Sequence, residues 1–133
     1  MFEQILRDLK IGQTVPAEQY SPLTLAYIGD CVFELYVRTF LIRNANAQVE
    51  KLHRRAVGYS NCKAQAEFVH KIMDVLTEEE LAVYKRGRNA KSIPPKNAEI
   101  SDYKAATGLE AVLGYLYIKG ETDRLAELLG YIR

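Results

Sequence analysis

Acidic side chains lie inside two otherwise apolar segments of this 133-residue sequence. Segment 22–37 has two charged residues, Asp30 and Glu34, which a helix would place on one face because they are four positions apart. In segment 103–118 the one acidic residue is Glu110. A carboxylate in apolar surroundings is costly unless it is paired, hydrogen-bonded or bound to a metal ion. These acids are therefore the first candidates for chemistry.

Two arrangements would compensate the acids. In the first, Asp30 or Glu110 forms an ion pair with a basic residue such as Arg38 or Lys104. In the second, Asp30 and Glu110 meet from facing helices around a divalent cation. Mg²⁺ fits this arrangement because it is usually held by one or two carboxylates and keeps several waters. Spacing alone leaves both arrangements open.

Glycines accompany the acids in both segments. Gly29 precedes Asp30, and Gly108 and Gly114 lie on either side of Glu110. A glycine within a helix costs roughly 0.5–1 kcal/mol relative to alanine. Three of them predict close helix–helix approach, although ordinary packing of a helical core would also explain them.

Other kinds of catalytic site are not indicated. The sequence has no GxSxG, HExxH, P-loop or GxGxxG motif. His53 and His70 are too isolated for a zinc site and are interpreted as surface or partly buried structural residues. Cys31 and Cys62 form no CxxC pair and are predicted to be reduced thiols of a cytoplasmic protein. No apolar stretch reaches the ~20 residues that span a bilayer, and the N-terminus lacks the apolar core of a signal peptide.

The elements that carry these residues are predicted to be helices throughout. The composition, 48% hydrophobic and 26% charged, and the length favour one packed domain over residues 1–133, all-α with five to seven helices. Segments 23–42 and 102–118 are apolar nearly all round and are predicted to be buried central helices. Residues that signal helix starts and ends are Ser21, Thr77 with Glu80, Ser101 and Gly120. The predicted helices cover 2–10, 23–42, 47–76 with an interruption near 58–61, 78–88, 102–118 and 122–131.

Positive charge is concentrated in the middle of the chain. Residues 38–98 carry 12 basic and 6 acidic side chains, whereas both flanks are acidic. Within 81–98 there are basic residues and no acidic one, and Pro94 with Pro95 excludes a helix at its end. Such a cluster can contact a polyanion even in a protein of net charge +1, although a solvated helix end and loop would look the same. This basic segment consists of Lys85, Arg86, Arg88, Lys91 and Lys96.

Two motifs in the apolar segments resemble those of the ribonuclease III family. The order and spacing of the motifs agree with the family, and the chain is most similar to its small branch, Mini-ribonuclease III, over essentially its whole length. The first motif, usually L-E-F-L-G-D, is matched by Leu25-Ala26-Tyr27-Ile28-Gly29-Asp30. The second, D-x-x-E-A-x-x-G, is matched by Thr107-Gly108-Leu109-Glu110-Ala111-Val112-Leu113-Gly114. The similarity to the small branch includes Arg86-Gly87-Arg88-Asn89-Ala90-Lys91.

The resemblance implies a function and roles for individual residues. It implies the all-α endonuclease fold and Mg²⁺-dependent hydrolysis of double-stranded RNA by a homodimer, with 5′-phosphate and 3′-hydroxyl ends on the products. Asp30 and Glu110 would bind the metal. Tyr27 matches an aromatic residue that packs across the dimer, with plain core packing as the alternative. Glu34 would make an outer-sphere contact to the metal or a structural hydrogen bond. The substrate implied by the small branch is a stem in the precursor of large-subunit (23S) ribosomal RNA.

Two positions that are acidic in the family are not acidic here. Ala26 stands at the glutamate position of the first motif, and Thr107 stands at the aspartate position of the second. The small branch resembles this chain in lacking these two acids, so an active enzyme is still expected. The number of metal ions is left open. The rival interpretation is a non-catalytic dimeric module that binds double-stranded RNA. A helical scaffold without a nucleic-acid partner is a third.

The sequence ends soon after its last predicted helix, so no separate double-stranded-RNA-binding domain is expected. The basic segment would then hold the RNA by its phosphates, because A-form RNA is recognised largely through its shape and backbone. Arg54 and Arg55 are weaker candidates, since they could simply cover a helix face.

Overall fold

The computed structural model describes residues 2–132, and in that range it contains helices and no β-strand. This confirms the predicted all-α fold. Short 3-10 turns lie at Ala17–Gln19, Met73–Val75 and Gly130–Ile132. The seven α-helices are α1 (Phe2–Asp8), α2 (Pro22–Asn44), α3 (Val49–Ser60), α4 (Cys62–Ile72), α5 (Glu78–Asn89), α6 (Ile100–Lys119) and α7 (Thr122–Leu129).

Helix α6 forms the centre of the fold. It packs against α2, α5 and α4, and it also contacts α7. Every residue from Ala105 to Leu116 is buried except Glu110, which is half-buried. The prediction of a buried helix in this segment is therefore confirmed, and Glu110 is the point at which its surface opens toward solvent.

Helices α2 and α6 cross at the glycines that flank the acids. A Cβ atom at Gly29 would lie 1.7 Å from the carbonyl oxygen of Glu110, and one at Gly114 would lie 1.9 Å from the carbonyl oxygen of Leu25. Only glycine fits at either position without moving a backbone. The close approach predicted from the glycines is confirmed, and α2 and α6 run antiparallel here because higher residue numbers of one meet lower numbers of the other.

Helix α5 packs on another side of α6 through a second pair of glycines. A Cβ atom at Gly87 would lie 2.8 Å from the Cβ of Ala111, and one at Gly108 would lie 2.6 Å from the ring of Tyr84. The prediction for Gly108 is thus confirmed as a contact with α5. The contribution of Gly87 was not anticipated from the sequence.

Most of the predicted helix ends are confirmed by their hydrogen bonds. The Ser21 hydroxyl accepts from the Thr24 amide at 3.2 Å, and Thr77 and Glu80 form a reciprocal capping box. Gly120 ends α6 with a φ of 76°, a backbone conformation that favours glycine. The break in segment 47–76 falls at Asn61, whose side chain accepts from the amide of Ala64 at 2.8 Å and caps α4.

The predicted cap at Ser101 is wrong. Helix α6 begins at Ile100, so Ser101 lies inside its first turn, and the residue before the helix is Glu99. The extended backbone of Glu99 lets its carbonyl accept the first helical hydrogen bond from the Tyr103 amide, at 2.9 Å, and no side chain caps this end. A hydroxyl was therefore a misleading signal at this position.

One face of α2 is both apolar and exposed. Leu23, Tyr27, Leu35 and Ile42 on this helix are all exposed, while Leu25, Phe33 and Val37 lie in the core with others. The prediction that α2 is buried on all sides is therefore wrong for this face. No helix of the described part of the chain is long and apolar enough to cross a membrane.

An ion pair between Arg124 and Glu80 joins α7 to α5. The Arg124 guanidinium donates to both Glu80 oxygens at 2.8 Å and to the Val75 carbonyl at 2.6 Å. Burial alone would raise the pKa of Glu80, but hydrogen bonds from Arg124 and from the Thr77 backbone hold it below its usual value. These hydrogen bonds fix α7 against α5, which in turn packs on α6.

Candidate active site

The crossing of α2 and α6 brings Asp30 and Glu110 together. Because Gly29 lies against the backbone of Glu110, the next residue of α2 presents its carboxyl group to the Glu110 side chain. The Asp30 carboxyl lies within hydrogen-bonding range of the Glu110 carboxyl. Asp30 is exposed and Glu110 is half-buried, so the pair is located at the surface end of the helix crossing.

Glu110 carries the clearest electrostatic signature of this pair. Burial, the hydrogen bond and charge of Asp30, and the charge of Glu34 together raise the pKa of Glu110 to about 8. The side-chain amide of Gln65 acts in the opposite direction, because it favours the charged carboxylate. Two carboxyl groups this close cannot both be ionised cheaply unless a positive charge lies between them.

The ion-pair arrangement considered from the sequence is not observed. Arg38 is bonded to Glu34 instead, with 3.1 Å between Nε and Oε2. Lys104 is exposed, and within residues 2–132 neither Asp30 nor Glu110 takes part in a salt bridge. The acidic pair therefore lacks a basic side chain of the described chain to neutralise it.

The donor set of this pair suits a cation that needs few protein ligands. Two carboxylates offer hard oxygen atoms, and no group of three or more His, Cys, Asp or Glu residues able to hold a metal occurs in the described range. Mg²⁺ is commonly bound by one or two carboxylates with water in its remaining positions. The residues present thus fit Mg²⁺ better than a structural zinc site, which requires four protein ligands.

The two motif positions that lost their acids contribute nothing to this donor set. Ala26 is buried. Thr107 is 6% exposed, and its hydroxyl donates to the Tyr103 carbonyl at 3.0 Å within the same helix. The Thr107 hydroxyl is therefore engaged in the helix instead of facing the acidic pair.

Glu34 is half-buried one turn beyond Asp30. It holds Arg38 through the hydrogen bond given above, and its charge adds to the rise in the pKa of Glu110. The structural role considered for Glu34 is observed. An outer-sphere contact to a metal stays a prediction.

Helix α4 adds two residues that the sequence reasoning missed. Gln65 is 3% exposed and lies beside Glu110, and Cys62 is close enough to Glu110 and Asp102 to feel their charges. Burial first, and then those two carboxylates, raise the pKa of the Cys62 thiol. The sequence contained one signal for Gln65: its spacing from Val69 and Ile72 places it on the buried stripe of α4.

The basic segment lies on α5, which packs on α6, and on the loop that follows α5. Arg86 and Arg88 flank Gly87, which packs on α6 beside Ala111, the residue after Glu110. Lys96 lines a groove of about 610 Å³ together with Cys62 and other residues. Lys85, Arg86, Lys91 and Lys96 are exposed, and none of them forms a salt bridge with another described residue.

Arg88 differs from the other members of the basic segment. Its guanidinium lies 5.6 Å from the centre of the Tyr84 ring, and its Nε donates to the Asn89 side chain at 3.3 Å. These contacts hold Arg88 half-buried at the end of α5. It is therefore the most fixed of the five positive charges, and the remaining four extend into solvent.

Tyr27 is 81% exposed, the highest fraction among the large apolar side chains of α2. The core-packing alternative for Tyr27 is therefore wrong. Tyr27 lies on the exposed face of α2, about one turn before Asp30. A tyrosine exposed to this extent on an apolar face is typical of an interaction surface.

None of the histidines, the α3 arginines or the cysteines considered from the sequence is fully buried. His53 and His70 are exposed, as are Arg54 and Arg55 on α3. Cys31 and Cys62 are free thiols, the first exposed and the second half-buried.

Comparison with known proteins agrees with the motif assignment. The family profile described as the ribonuclease III domain matches residues 23–121, which include both acids. The chain is 47% identical over 114 residues to the Mini-ribonuclease 3 of Clostridium tetani, covering 84% of this chain and 76% of that protein. It is 51% identical over 110 residues to the Mini-ribonuclease 3 of a Thermoanaerobacter species, covering 82% and 78%. A crystal structure of a protein from Fusobacterium nucleatum superposes with a TM-score of 0.79 at 29% identity, covering 86% of this chain and 92% of that one.

Proposed function

The chain belongs to the ribonuclease III family, in its Mini-ribonuclease 3 branch, and is thus an endoribonuclease; we propose that it uses Mg²⁺ held by Asp30 and Glu110 to hydrolyse double-stranded RNA. The observation that carries this proposal is the close approach of these two carboxyl groups without a basic partner among the described residues. Hydrolysis would leave 5′-phosphate and 3′-hydroxyl ends.

Asp30 and Glu110 each have a definite task in this reaction. Their carboxylates would hold the cation, and because burial and Asp30 raise the pKa of Glu110, that carboxyl would have to lose its proton to do so. When bound there, Mg²⁺ would lower the pKa of a coordinated water and stabilise negative charge on the phosphate. The residues of α6 around Glu110 are buried, so the backbone that carries this carboxyl is fixed in the core and would need little reorganisation during the reaction.

The basic segment supplies contacts to the RNA backbone. Arg86 and Arg88 lie on either side of Gly87, which packs on α6 against Ala111 and Gly108, so phosphates bound there would lie on the α5 side of the helix that carries Glu110. Lys85, Lys91 and Lys96 extend the positive surface along the end of α5 and the following loop. Contacts of this kind neutralise phosphates and read the shape of the duplex more than its sequence.

The exposed apolar face of α2 supports a homodimer. A second copy of the chain packed on Tyr27 and Leu35 would remove apolar surface from water, which is the main driving force for such association. Asp30 lies on the same exposed side of α2, so two acidic pairs would lie near a shared interface. Twofold symmetry would direct one site to each RNA strand and produce a staggered cut.

The biological substrate and setting are part of the same proposal. We propose that the RNA is a stem in the precursor of 23S ribosomal RNA, so that the protein acts in ribosome biogenesis in the cytoplasm. Residues 1–133 would form one catalytic domain. The support is the similarity to relatives named Mini-ribonuclease 3 over most of their length.

A cleavage assay tests the proposal. Purified protein is incubated with end-labelled duplex RNA in Mg²⁺ or in chelator, alongside Asp30→Asn, Glu110→Gln and the control Glu67→Gln, which changes an exposed carboxylate on α4. We expect cleavage in Mg²⁺ by the wild type and the control, and none by the other two variants. Cleavage that survives both substitutions would exclude this site. Retarded but intact RNA in every lane would favour the non-catalytic binding module.

A further inference from the structure

Gln65 is a buried polar residue with an unsatisfied donor. It is 3% exposed on the face of α4 that packs against α6. Within residues 2–132 its Nε2 has no hydrogen-bond partner of normal geometry. Buried amide groups are nearly always hydrogen-bonded, so an exception calls for an explanation.

The neighbour that could accept from this amide is Glu110. The Gln65 side chain lies beside the Glu110 carboxyl, although no well-formed hydrogen bond joins its Nε2 to that group. Asp30 of α2 also lies within hydrogen-bonding range of the Glu110 carboxyl. The Glu110 side chain is therefore contacted by residues of two helices, Asp30 of α2 and Gln65 of α4.

Carboxylates that bind metal ions are usually held in turn by hydrogen bonds from neighbouring residues. Loss of such a neighbour typically lowers metal affinity or activity by about 10- to 100-fold. The buried amide of Gln65 is a suitable donor, because α4 and α6 are both fixed in the core and the amide has little freedom to turn elsewhere.

We propose that Gln65 is a positioning residue for Glu110: its Nε2 donates to the ionised carboxylate and holds it toward Asp30 for binding of the cation. The inference rests on the proposed function, because it assumes that Asp30 and Glu110 bind the metal. It explains why a polar side chain occupies a buried position of α4 between Ala64 and Ala66. An apolar residue of similar size would fill the same space without an unsatisfied donor.

The test measures metal binding directly, with Mn²⁺ as the probe. Gln65→Met keeps the size of the side chain and removes the amide. Gln65→Asn keeps the amide and withdraws it from Glu110 by one methylene group. The matched control is Tyr36→Phe, which also removes a buried polar atom without a hydrogen-bond partner but at a position on α2. Free Mn²⁺ is followed by electron paramagnetic resonance, without RNA, and melting temperatures report folding.

We expect Gln65→Met to raise the Mn²⁺ dissociation constant by about 10- to 100-fold. Gln65→Asn should give a smaller increase, and Tyr36→Phe should give none. In cleavage assays at fixed Mg²⁺, Gln65→Met should lower kcat while KM for the duplex stays within about twofold, because the basic segment is untouched. Gln65→Met leaves no buried polar atom at position 65, so the melting temperature of this variant should not fall.

Two results would overturn this inference. One is a Mn²⁺ dissociation constant for Gln65→Met within twofold of the wild type. The other is an increase that Tyr36→Phe reproduces in full, which would show a general effect of core changes. If the wild type itself neither binds Mn²⁺ nor cleaves duplex RNA, the proposed function fails and the role of Gln65 fails with it. If the wild type does both and Gln65→Met matches it, the proposed function stands and only the role of Gln65 is refuted.

Discussion

Replacement of Glu110 by glutamine should stabilise the cation-free protein while abolishing cleavage. The pKa of Glu110 is about 8 in the folded chain and has a reference value of 4.5. A carboxyl whose pKa is raised by folding binds a proton more tightly in the folded state. The free energy of unfolding therefore falls as the pH rises from 4.5 to 8.

The size of this effect follows from the shift in pKa. A difference of about 3.5 units corresponds to at most about 5 kcal/mol above pH 8, at 1.36 kcal/mol per unit. Water reaches the half-buried side chain and screens its charge, so we expect Glu110→Gln to raise the free energy of unfolding by about 2 kcal/mol. For a domain of this size such a gain should raise Tm by about 5–10 °C.

Thermal unfolding in chelator measures this gain at equal protein concentration. Wild type and Glu110→Gln are melted at pH 5, 6, 7 and 8, with Glu67→Gln as the control for loss of an exposed carboxylate. The gap between wild type and Glu110→Gln should widen as the pH rises, and the control should follow the wild type. Added Mg²⁺ should then raise Tm of the wild type and not of Glu110→Gln, because only a bound ligand stabilises the folded state. A Tm for Glu110→Gln that equals the wild type at every pH, or lies below it at pH 8, would refute this reasoning.

Three further predictions address the RNA surface, the dimer and the helix crossing. The double substitution of Arg86 and Arg88 by alanine should weaken duplex binding and make the negative slope of log K against log salt shallower by about 2. Fluorescence anisotropy in chelator measures this slope, and an unchanged slope would exclude phosphate contacts by these residues. Tyr27→Asp should convert a dimer to a monomer in light scattering, and an unchanged mass would reject this face as the interface. Gly114→Ala should lower Tm strongly, because the added Cβ would lie 1.9 Å from the Leu25 backbone. Gly58→Ala should raise Tm, because nothing lies within 4 Å of the added Cβ. Equal changes in Tm for the two variants would contradict the close packing of α2 on α6.

The fold and the acidic pair could be predicted because they depend on local patterns. The apolar segments, the capping box at Thr77 and the glycine at position 120 specify helices and their ends with little help from the rest of the chain. The glycines beside Asp30 and Glu110 indicated a close crossing, which the structure contains. These signals are steric and are present in the sequence itself.

The remaining features depend on three-dimensional packing and could not be predicted in the same way. The start of α6 at Ile100 is set by the backbone of Glu99 and not by the nearby hydroxyl of Ser101. The position of Gln65 beside Glu110 depends on the packing of α4 on α6. A single sequence contains no direct signal for which helices pack together. The exposed face of α2 looked like core because apolar composition alone does not distinguish a buried helix face from an exposed one.

A crystal structure of the protein in saturating Mn²⁺ tests the central claim most directly. The anomalous signal of Mn²⁺ locates the ion independently of any assumption about its ligands. We predict one anomalous peak per acidic pair, about 2.2 Å from a carboxylate oxygen of Asp30 and from one of Glu110, with water in the other positions. A map with no peak between these carboxylates, or with the ion bound elsewhere, would contradict the account.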